Sequence, residues 1–335
     1  MSTSIDTSPR SRISGTGSYL PARIVTNDEV AQWVDTTDEW IRQRVGIRER
    51  RYAAKGEATS DMAAAAGRAA IASAGLTPED IDMIVVGTIT GDMPLPACAA
   101  FVQQKLGCRT VPAFDVAAAC AGFIFALTLA DNAIRTGTAR HVLVIGAETL
   151  TSITNFADRN TCVLFGDGAG AVVLSRAEQG SSGLLFATSI FTDASHTDIL
   201  NIPAGGSLEP VTHEALDGQR NKIYMNGQEV FRVAVRKLTS SSQDVIKQAG
   251  LTPDQIDWVV PHQANLRILN QVAARLSIPY DRFILNIDVR GNTSSASVPI
   301  ALSEAIGDGR IKPGHTVLMC ALGAGISWGS ALVRI

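Results

Sequence analysis

Ala74-Gly75-Leu76-Thr77-Pro78-Glu79-Asp80-Ile81-Asp82-Met83-Ile84-Val85 returns 175 residues later as Ala249-Gly250-Leu251-Thr252-Pro253-Asp254-Gln255-Ile256-Asp257-Trp258-Val259-Val260. Both copies carry the same local instructions. A helix ends at Ala-Gly, with Gly in the position after the cap. Thr-Pro opens a short helical turn, Thr capping and Pro first. Ile-Asp then leads into an apolar, β-branched run, the pattern of a buried strand. Helices are expected just upstream, over 60–74 and 228–249.

A second pair lies at nearly the same offset. Arg140-His141-Val142-Leu143-Val144-Ile145-Gly146 resembles Gly314-His315-Thr316-Val317-Leu318-Met319-Cys320. The period is far too long for a solenoid. It describes two similar α/β halves, 13–177 and 178–335, with sheets covered on both faces. Residues 1–12 are polar and read as a disordered N-terminal tail, with no secretory signal. Gly180, Ser181, Ser182 and Gly183, then Pro203-Ala204-Gly205-Gly206, Pro210 and Asp217-Gly218, mark a strand followed by a long loop around 190–222. Long loops in compact domains are often functional.

Composition bounds the possibilities. The 335 residues are 46% hydrophobic and 18% charged, with net charge −3. That suits much buried helix and sheet and gives no general sign of nucleic-acid binding. The five cysteines fit no disulfide framework or zinc spacing, so a reducing, cytoplasmic setting is expected. The longest uncharged run, 116–130, falls short of the roughly 20 residues of a membrane span. It reads as a buried central helix of a soluble protein.

Cys120 stands in that run, in Asp115-Val116-Ala117-Ala118-Ala119-Cys120-Ala121-Gly122-Phe123. If a strand ends near Ala117 and a helix starts near Cys120, free amides and the helix dipole favour thiolate, hence a nucleophile. The alternative is a buried structural cysteine. His262, in Val260-Pro261-His262-Gln263-Ala264-Asn265, follows the repeated strand where the first half has only Val86-Gly87. It is either structural or a site residue at a strand's carboxyl end. Asn292 follows the apolar stretch Phe283-Ile284-Leu285, which is expected to be a strand, and precedes a helix over 297–306. It is either a cap or an amide donor. Gly323-Ala324-Gly325-Ile326-Ser327-Trp328-Gly329 is either a plain β-turn or a place where backbone amides approach a ligand. Together a thiol, a neutral His and an Asn suit thioester chemistry: the thiol takes an acyl group, and the other two stabilise an enolate formed by decarboxylation.

The stretches DVAAACAGF, VPHQANLRI, RGNTSSASVP, FGDGAGAVVL and GAGISWGSALV, with DTTDEWIRQRVGIRERR, resemble β-ketoacyl-acyl carrier protein synthase III, over about residues 13–335 and in the family's order. The resemblance implies a thiolase-like, five-layered αβαβα fold, usually a homodimer. It implies Cys120 as acyl acceptor, His262 and Asn292 as ligands of the malonyl thioester carbonyl, and the amides of Cys120 and Ala324 as oxyanion hole. The family usually has Gly where Ala324 stands, and the amide survives that change if φ is negative. A true thiolase has a second cysteine where this chain has Ala321. Cys320 is one residue away and should point to the other face.

The resemblance further implies coenzyme A and pantetheine contacts from Trp40, Arg44, Arg159, Gln228, Phe231 and Asn265. Gln228 stands where Asn is frequent and Val45 where Thr can be. Without the resemblance, Trp40 is equally a packing aromatic. Arg232, Arg236, Arg267 and Arg275 form a basic surface suited to an acidic carrier protein, or an ordinary solvated face. Leu95 matches a bulkier aromatic that closes the acyl pocket from the other subunit, so a roomier pocket is expected. The implied substrates are acyl-CoA and malonyl-acyl carrier protein, with no metal or redox cofactor, no nucleic acid and no membrane. The implied product is a 3-oxoacyl-carrier protein. A specialised synthase making polyketide starter, quinolone or ester products remains an alternative, as does an inactive carrier-binding scaffold.

Overall fold

The computed structural model describes residues 10–178, 181 and 184–335. Residues 1–9 of the expected tail, and Gly180, Ser182 and Gly183 of the expected loop, lie outside the described residues. The first strand begins at Ser11, so the expected tail boundary at residue 12 is two residues too late. Ser11 and Arg12 pair with Arg176 and Ser175, and the Ser11 hydroxyl donates to buried Asp131 at 2.6 Å.

Each copy of the repeat folds as its residues dictate. Helix Thr59–Ser73 ends before Gly75 at φ +69°, and helix Gly227–Gln248 before Gly250 at φ +68°. In the short turn Pro78–Asp80, the Thr77 amide donates to Asp80 Oδ2 at 2.8 Å. In Pro253–Gln255, the Thr252 amide donates to Gln255 Oε1 at 2.9 Å. Strands Met83–Gly87 and Trp258–Pro261 follow.

The duplication extends to the sheets. The first sheet runs Ser11–Tyr19, Gly168–Arg176, His141–Glu148, Met83–Gly87, Ala113–Val116. The second runs Leu185–Thr192, Ser327–Arg334, Thr316–Gly323, Trp258–Pro261 in the equivalent order. The expected strand at 283–285 would be the counterpart of Ala113–Val116, but it is reduced to a single bridge, Val259 with Phe283. The reason is local: the next amides, Asn286 and Ile287, donate to Gln263 Oε1 at 3.1 and 3.2 Å instead of extending a ladder.

Five layers result. Helices Thr59–Ser73 and Cys98–Leu106 cover the outer face of the first sheet. Helices Gly122–Arg135 and Ser297–Gly307 fill the space between the sheets. Helices Gly227–Gln248 and Leu266–Leu276 cover the second. Phe123, Ile124, Leu127 and Ile134 are fully buried, so the expected central helix forms, but only from Gly122: the run's first residues finish a strand and make a turn. Among the described residues no helix is long and apolar enough to cross a membrane. Cys320 packs in the cluster beneath the second sheet's outer helices, while Ala321 faces the central layer, the one-residue alternation expected of a strand. The segment after Leu185–Thr192 is less bare than expected. It carries helix His213–Asp217 and a two-residue ladder, Leu200–Asn201 with Tyr224–Met225.

Candidate active site

The two halves meet where their strands end. Strand Ala113–Val116 leads into the turn Ala119–Ala121, and helix Gly122–Arg135 starts one residue later. Cys120 thus sits at the entry of the central helix. Ala119, just before it, is held at φ +45°, a left-handed conformation a side chain adopts only under constraint. The constraint comes from the second half. Gly323 lies so close that a Cβ there would be 2.5 Å from the Cys120 amide nitrogen and 2.7 Å from the Ala118 carbonyl. Ala324 follows directly and is not among the residues with positive φ; Gly325 absorbs the turn at φ +67°.

The expected bias towards thiolate is not what the site delivers at rest. Although Cys120 keeps a partly open face on the cavity, burial pushes its thiol up to about 12. The polar Ser294 side chain acts in the opposite direction, and the carboxylate of Glu148 adds to the rise. Desolvation outweighs what the helix entry can supply.

His262 follows strand Trp258–Pro261, its amide donating to the Cys320 carbonyl at 2.7 Å. Burial lowers it to about 4, so the ring is neutral at pH 7. Its Nδ1 lies 2.7 Å from Ser297 Oγ, whose hydroxyl also reaches the Ser294 carbonyl at 2.8 Å. Ser297 has one proton to give. Turned to Nδ1, it leaves Nε2 as the donor towards the cavity; turned to Ser294, it makes Nε2 an acceptor. Gln263 pins the backbone on either side of this loop, donating to the Pro261 and Ile284 carbonyls at 2.9 and 3.1 Å.

Asn292 belongs to the second half by sequence and is held by the first. Its amide donates to the Leu164 carbonyl at 2.9 Å, and its carbonyl accepts from Gly166 at 3.0 Å. Its side-chain Oδ1 accepts the Ser294 amide at 2.9 Å. Ser294 is itself at φ +50°.

Cys120, His262 and Asn292 open on one cavity of about 990 Å³. Trp40, Arg44, Arg159, Gln228, Phe231, Asn265, Arg232 and Arg267 line the same cavity. In its lining the Arg159 guanidinium lies over the Trp40 ring at 4.8 Å, with Arg44 at 5.9 Å. Arg267 lies 5.8 Å from the Phe231 ring. Arg232 pairs with Glu229 at 2.8 Å. Arg236 and Arg275 are exposed and Leu95 is 83% exposed; none of the three lines the cavity of this chain.

Comparison with known proteins fits this arrangement. Residues 114–194 match the family described as 3-Oxoacyl-[acyl-carrier-protein (ACP)] synthase III, and residues 246–335 match its C-terminal part. The β-ketoacyl-[acyl-carrier-protein] synthase III of Rhizorhabdus wittichii is 50% identical over 97% of this chain and 99% of its own length. The chain belongs to the synthase III family. The crystal structure of the Aquifex aeolicus 3-oxoacyl-[acyl-carrier-protein] synthase III superposes with TM-score 0.89 at 43% identity, covering 97% of this chain and all of that one. The priming β-ketosynthase of the R1128 polyketide pathway superposes with TM-score 0.90 at 36% identity, covering 100% of this chain and 99% of that one.

Within this synthase III site, sequence reasoning missed three residues: Glu148, Ser294 and Ser297. Ser294 and Ser297 stand inside RGNTSSASVP, where a serine-rich loop reads as turn and cap. Glu148 closes a strand that is apolar from Val142 to Ala147, the one signal that a buried carboxylate sits there.

Proposed function

We propose that this chain is an initiating condensing enzyme of type II fatty acid synthesis. An acyl-CoA primer acylates Cys120 and CoA leaves. Malonyl-acyl carrier protein enters, its thioester carbonyl meets His262 and Asn292, and CO₂ departs. The enolate attacks the acyl-cysteine and a 3-oxoacyl-carrier protein is released. The amides of Cys120 and Ala324 stabilise the oxyanion of the acyl steps. The observation that carries this reading is the orientation of Asn292. Its oxygen is occupied by Ser294, so its Nδ2 is the end free to donate in a cavity shared with Cys120 and His262.

Trp40, Arg44 and Arg159 hold the nucleotide of CoA, and Gln228, Phe231 and Asn265 the pantetheine arm. An adenine between Trp40 and Arg159 requires Arg159 to lift off the ring it now covers. Arg267, with Arg232, Arg236 and Arg275, receives the acidic carrier protein. Leu95 closes the acyl pocket of a second copy in a homodimer, its exposure here being the supporting feature. The five unpaired cysteines support a cytoplasmic setting.

Intact-mass measurement after incubation with an acyl-CoA series, then with malonyl-carrier protein, tests the reading. An adduct on Cys120 that disappears with 3-oxoacyl product is expected. No adduct with any primer would leave only the inactive scaffold. Because Leu95 is small, branched or longer primers should load as well as acetyl; strict preference for acetyl would remove that part. The likeness to a polyketide priming enzyme at 36% identity supports a second reading, a starter synthase on the same scaffold. Transfer to a polyketide carrier protein in preference to the fatty acid carrier would favour it.

A further inference from the structure

The turn that carries the Ala324 amide is strained and is gripped from outside. Ile326, two residues on, is fully buried at φ +44°, a conformation that a β-branched residue adopts only under constraint. Ala119, just before Cys120, is held at φ +45°, so both amides assigned to the oxyanion hole lie within two residues of strained backbone. The end of strand Leu185–Thr192 supplies the constraint at Ile326. Phe191 stacks on Trp328 with ring centroids 5.3 Å apart, and the Thr192 and Ser327 hydroxyls meet at 2.9 Å. The Asp193 amide then donates to the Ile326 carbonyl at 3.0 Å. Three consecutive residues, 191–193, thus hold the three residues 326–328.

Asp193 is anchored in turn. Its Oδ1 accepts the Ser195 hydroxyl at 2.6 Å and the Ser195 amide at 3.2 Å, and its Oδ2 accepts the Lys237 ammonium at 2.8 Å. The same ammonium lies 4.1 Å from the centroid of the Trp328 ring. One cation therefore meets both the residue that binds Ile326 and the ring just beyond it. Lys237 stands on helix Gly227–Gln248 beside exposed Arg236, where a lysine would ordinarily join the basic face. Its side chain is instead only 18% exposed, turned onto Trp328. Ala234 and Leu238 of the same helix line the cavity, so helix, strap and turn form one connected wall.

We propose that Lys237 is a positioning residue for the acyl half of the reaction: by pairing with Asp193 and covering Trp328, it holds the Ala324 amide where the oxyanion on the acyl carbon forms. The inference rests on the acyl-Cys120 reading above. Lys237 is not among the cavity-lining residues and touches no reacting atom. Its effect passes through Asp193 and Ile326 to a backbone amide two residues away.

The chemistry makes that effect selective. An oxyanion hole works because its donors are fixed in advance, and a misplacement of about 1 Å can cost about 10²-fold. The Ala324 amide serves the tetrahedral stage at the acyl carbon. The malonyl carbonyl is met by His262 and Asn292, which are held by Ser297 and by the Leu164 and Gly166 backbone. Loosening the turn should therefore slow loading of Cys120 and spare decarboxylation. The link is ionic at neutral pH: the Lys237 ammonium, then Ser195, hold the Asp193 carboxyl well below the usual carboxylate range.

The test compares single-turnover acylation of Cys120 by acetyl-CoA, read by quenched intact mass, with decarboxylation of malonyl-CoA in the absence of primer. Both substrates carry the same CoA handle, so carrier docking enters neither rate. Lys237→Met keeps a long apolar stem on Trp328 and removes the charge. It should acylate about tenfold more slowly and decarboxylate within about twofold of wild type. Asp193→Asn should behave alike, and the double variant should be no slower than the slower single one, because both cut one link. Lys237→Arg keeps a cation for the carboxylate and the ring, and should acylate within about threefold of wild type. Acylation by Lys237→Met within about twofold of wild type would overturn the proposal and return Lys237 to the docking face. So would equal slowing of both half-reactions, the mark of a general loss of packing, or an arginine variant as slow as the methionine one. If Lys237→Met does not fold, Asp193→Asn decides by the same ratio, since it keeps the side-chain size and the amide that holds Ile326. If wild type itself forms no Cys120 adduct, the parent reading fails first and takes this one with it.

Discussion

The backbone amide of Ser294 donates to Oδ1 of Asn292 at 2.9 Å, and that contact sets which end of the Asn292 side chain remains to face the cavity. An amide has one acceptor and one donor end. With the acceptor taken, the NH₂ is what a ligand meets.

Asn292→Asp follows directly. The carboxylate still accepts from Ser294 but offers the cavity an acceptor with negative charge in place of a donor. Decarboxylation of malonyl-carrier protein should fall by about 10²–10³, the usual cost of losing one such donor. Acylation of Cys120 should survive largely unchanged, as measured by intact mass. A variant that decarboxylates at the wild-type rate would remove Asn292 from the enolate site.

His262 gives a pH prediction whose sign can be worked out. Its native value is about 4 against 6.5 for the ordinary group, because burial disfavours the cation. Between those values the unfolded chain binds a proton that the native chain does not. The contribution to stability is therefore intact above pH 6.5, falls as pH drops to about 4, and levels below. The full loss is about 3 kcal/mol. His262→Gln cannot titrate, so the stability of wild type relative to that variant should decline by this order between pH 7.5 and 4 in urea titrations. A constant difference would mean that the native ring protonates normally.

The architecture was legible because it is written twice. Thr77-Pro78 and Thr252-Pro253 each fix a turn within a few residues, and both copies lead into equivalent strands. The cavity-lining positions of Cys120 and His262 were legible because each follows a strand end, whereas the strand expected before Asn292 is only a bridge. What stayed hidden rests on contacts far apart in sequence. Glu148 reaches Ser294 across 146 residues, and nothing local in either stretch announces the other. The thiolate expected from a helix entry failed for a related reason: the entry is local, whereas the burial that raises Cys120 is assembled from both halves.

Gly146 marks a close approach between the halves. A Cβ there would lie 2.2 Å from the Ser295 carbonyl oxygen and 3.2 Å from the Ala296 Cα. Neither is a flexible side-chain end, so the backbone must move. Gly146→Ala should cost about 1–3 kcal/mol in thermal or urea unfolding, as overpacking does, and displace the turn carrying Ser294 and Ser297. Gly307 is the control. It ends a helix with open space around it, so Gly307→Ala should be neutral or stabilise by up to about 1 kcal/mol. Equal effects of the two would show that the close approach at Gly146 carries no constraint.

Arg159 and Trp40 allow the two substrates to be separated. The pair lines the cavity, and an adenine of CoA would find a partner there while a carrier protein brings none. A cation–π contact of this kind is worth about 0.5–2 kcal/mol. Arg159→Ala should therefore raise KM for acyl-CoA by about 2- to 30-fold with little change in kcat. KM for malonyl-carrier protein should move much less, since the carrier's phosphopantetheine has no adenine to hold. Steady-state kinetics with each substrate varied in turn gives both numbers. Equal rises in the two KM values would place Arg159 on the path common to both substrates and remove its assignment to the nucleotide.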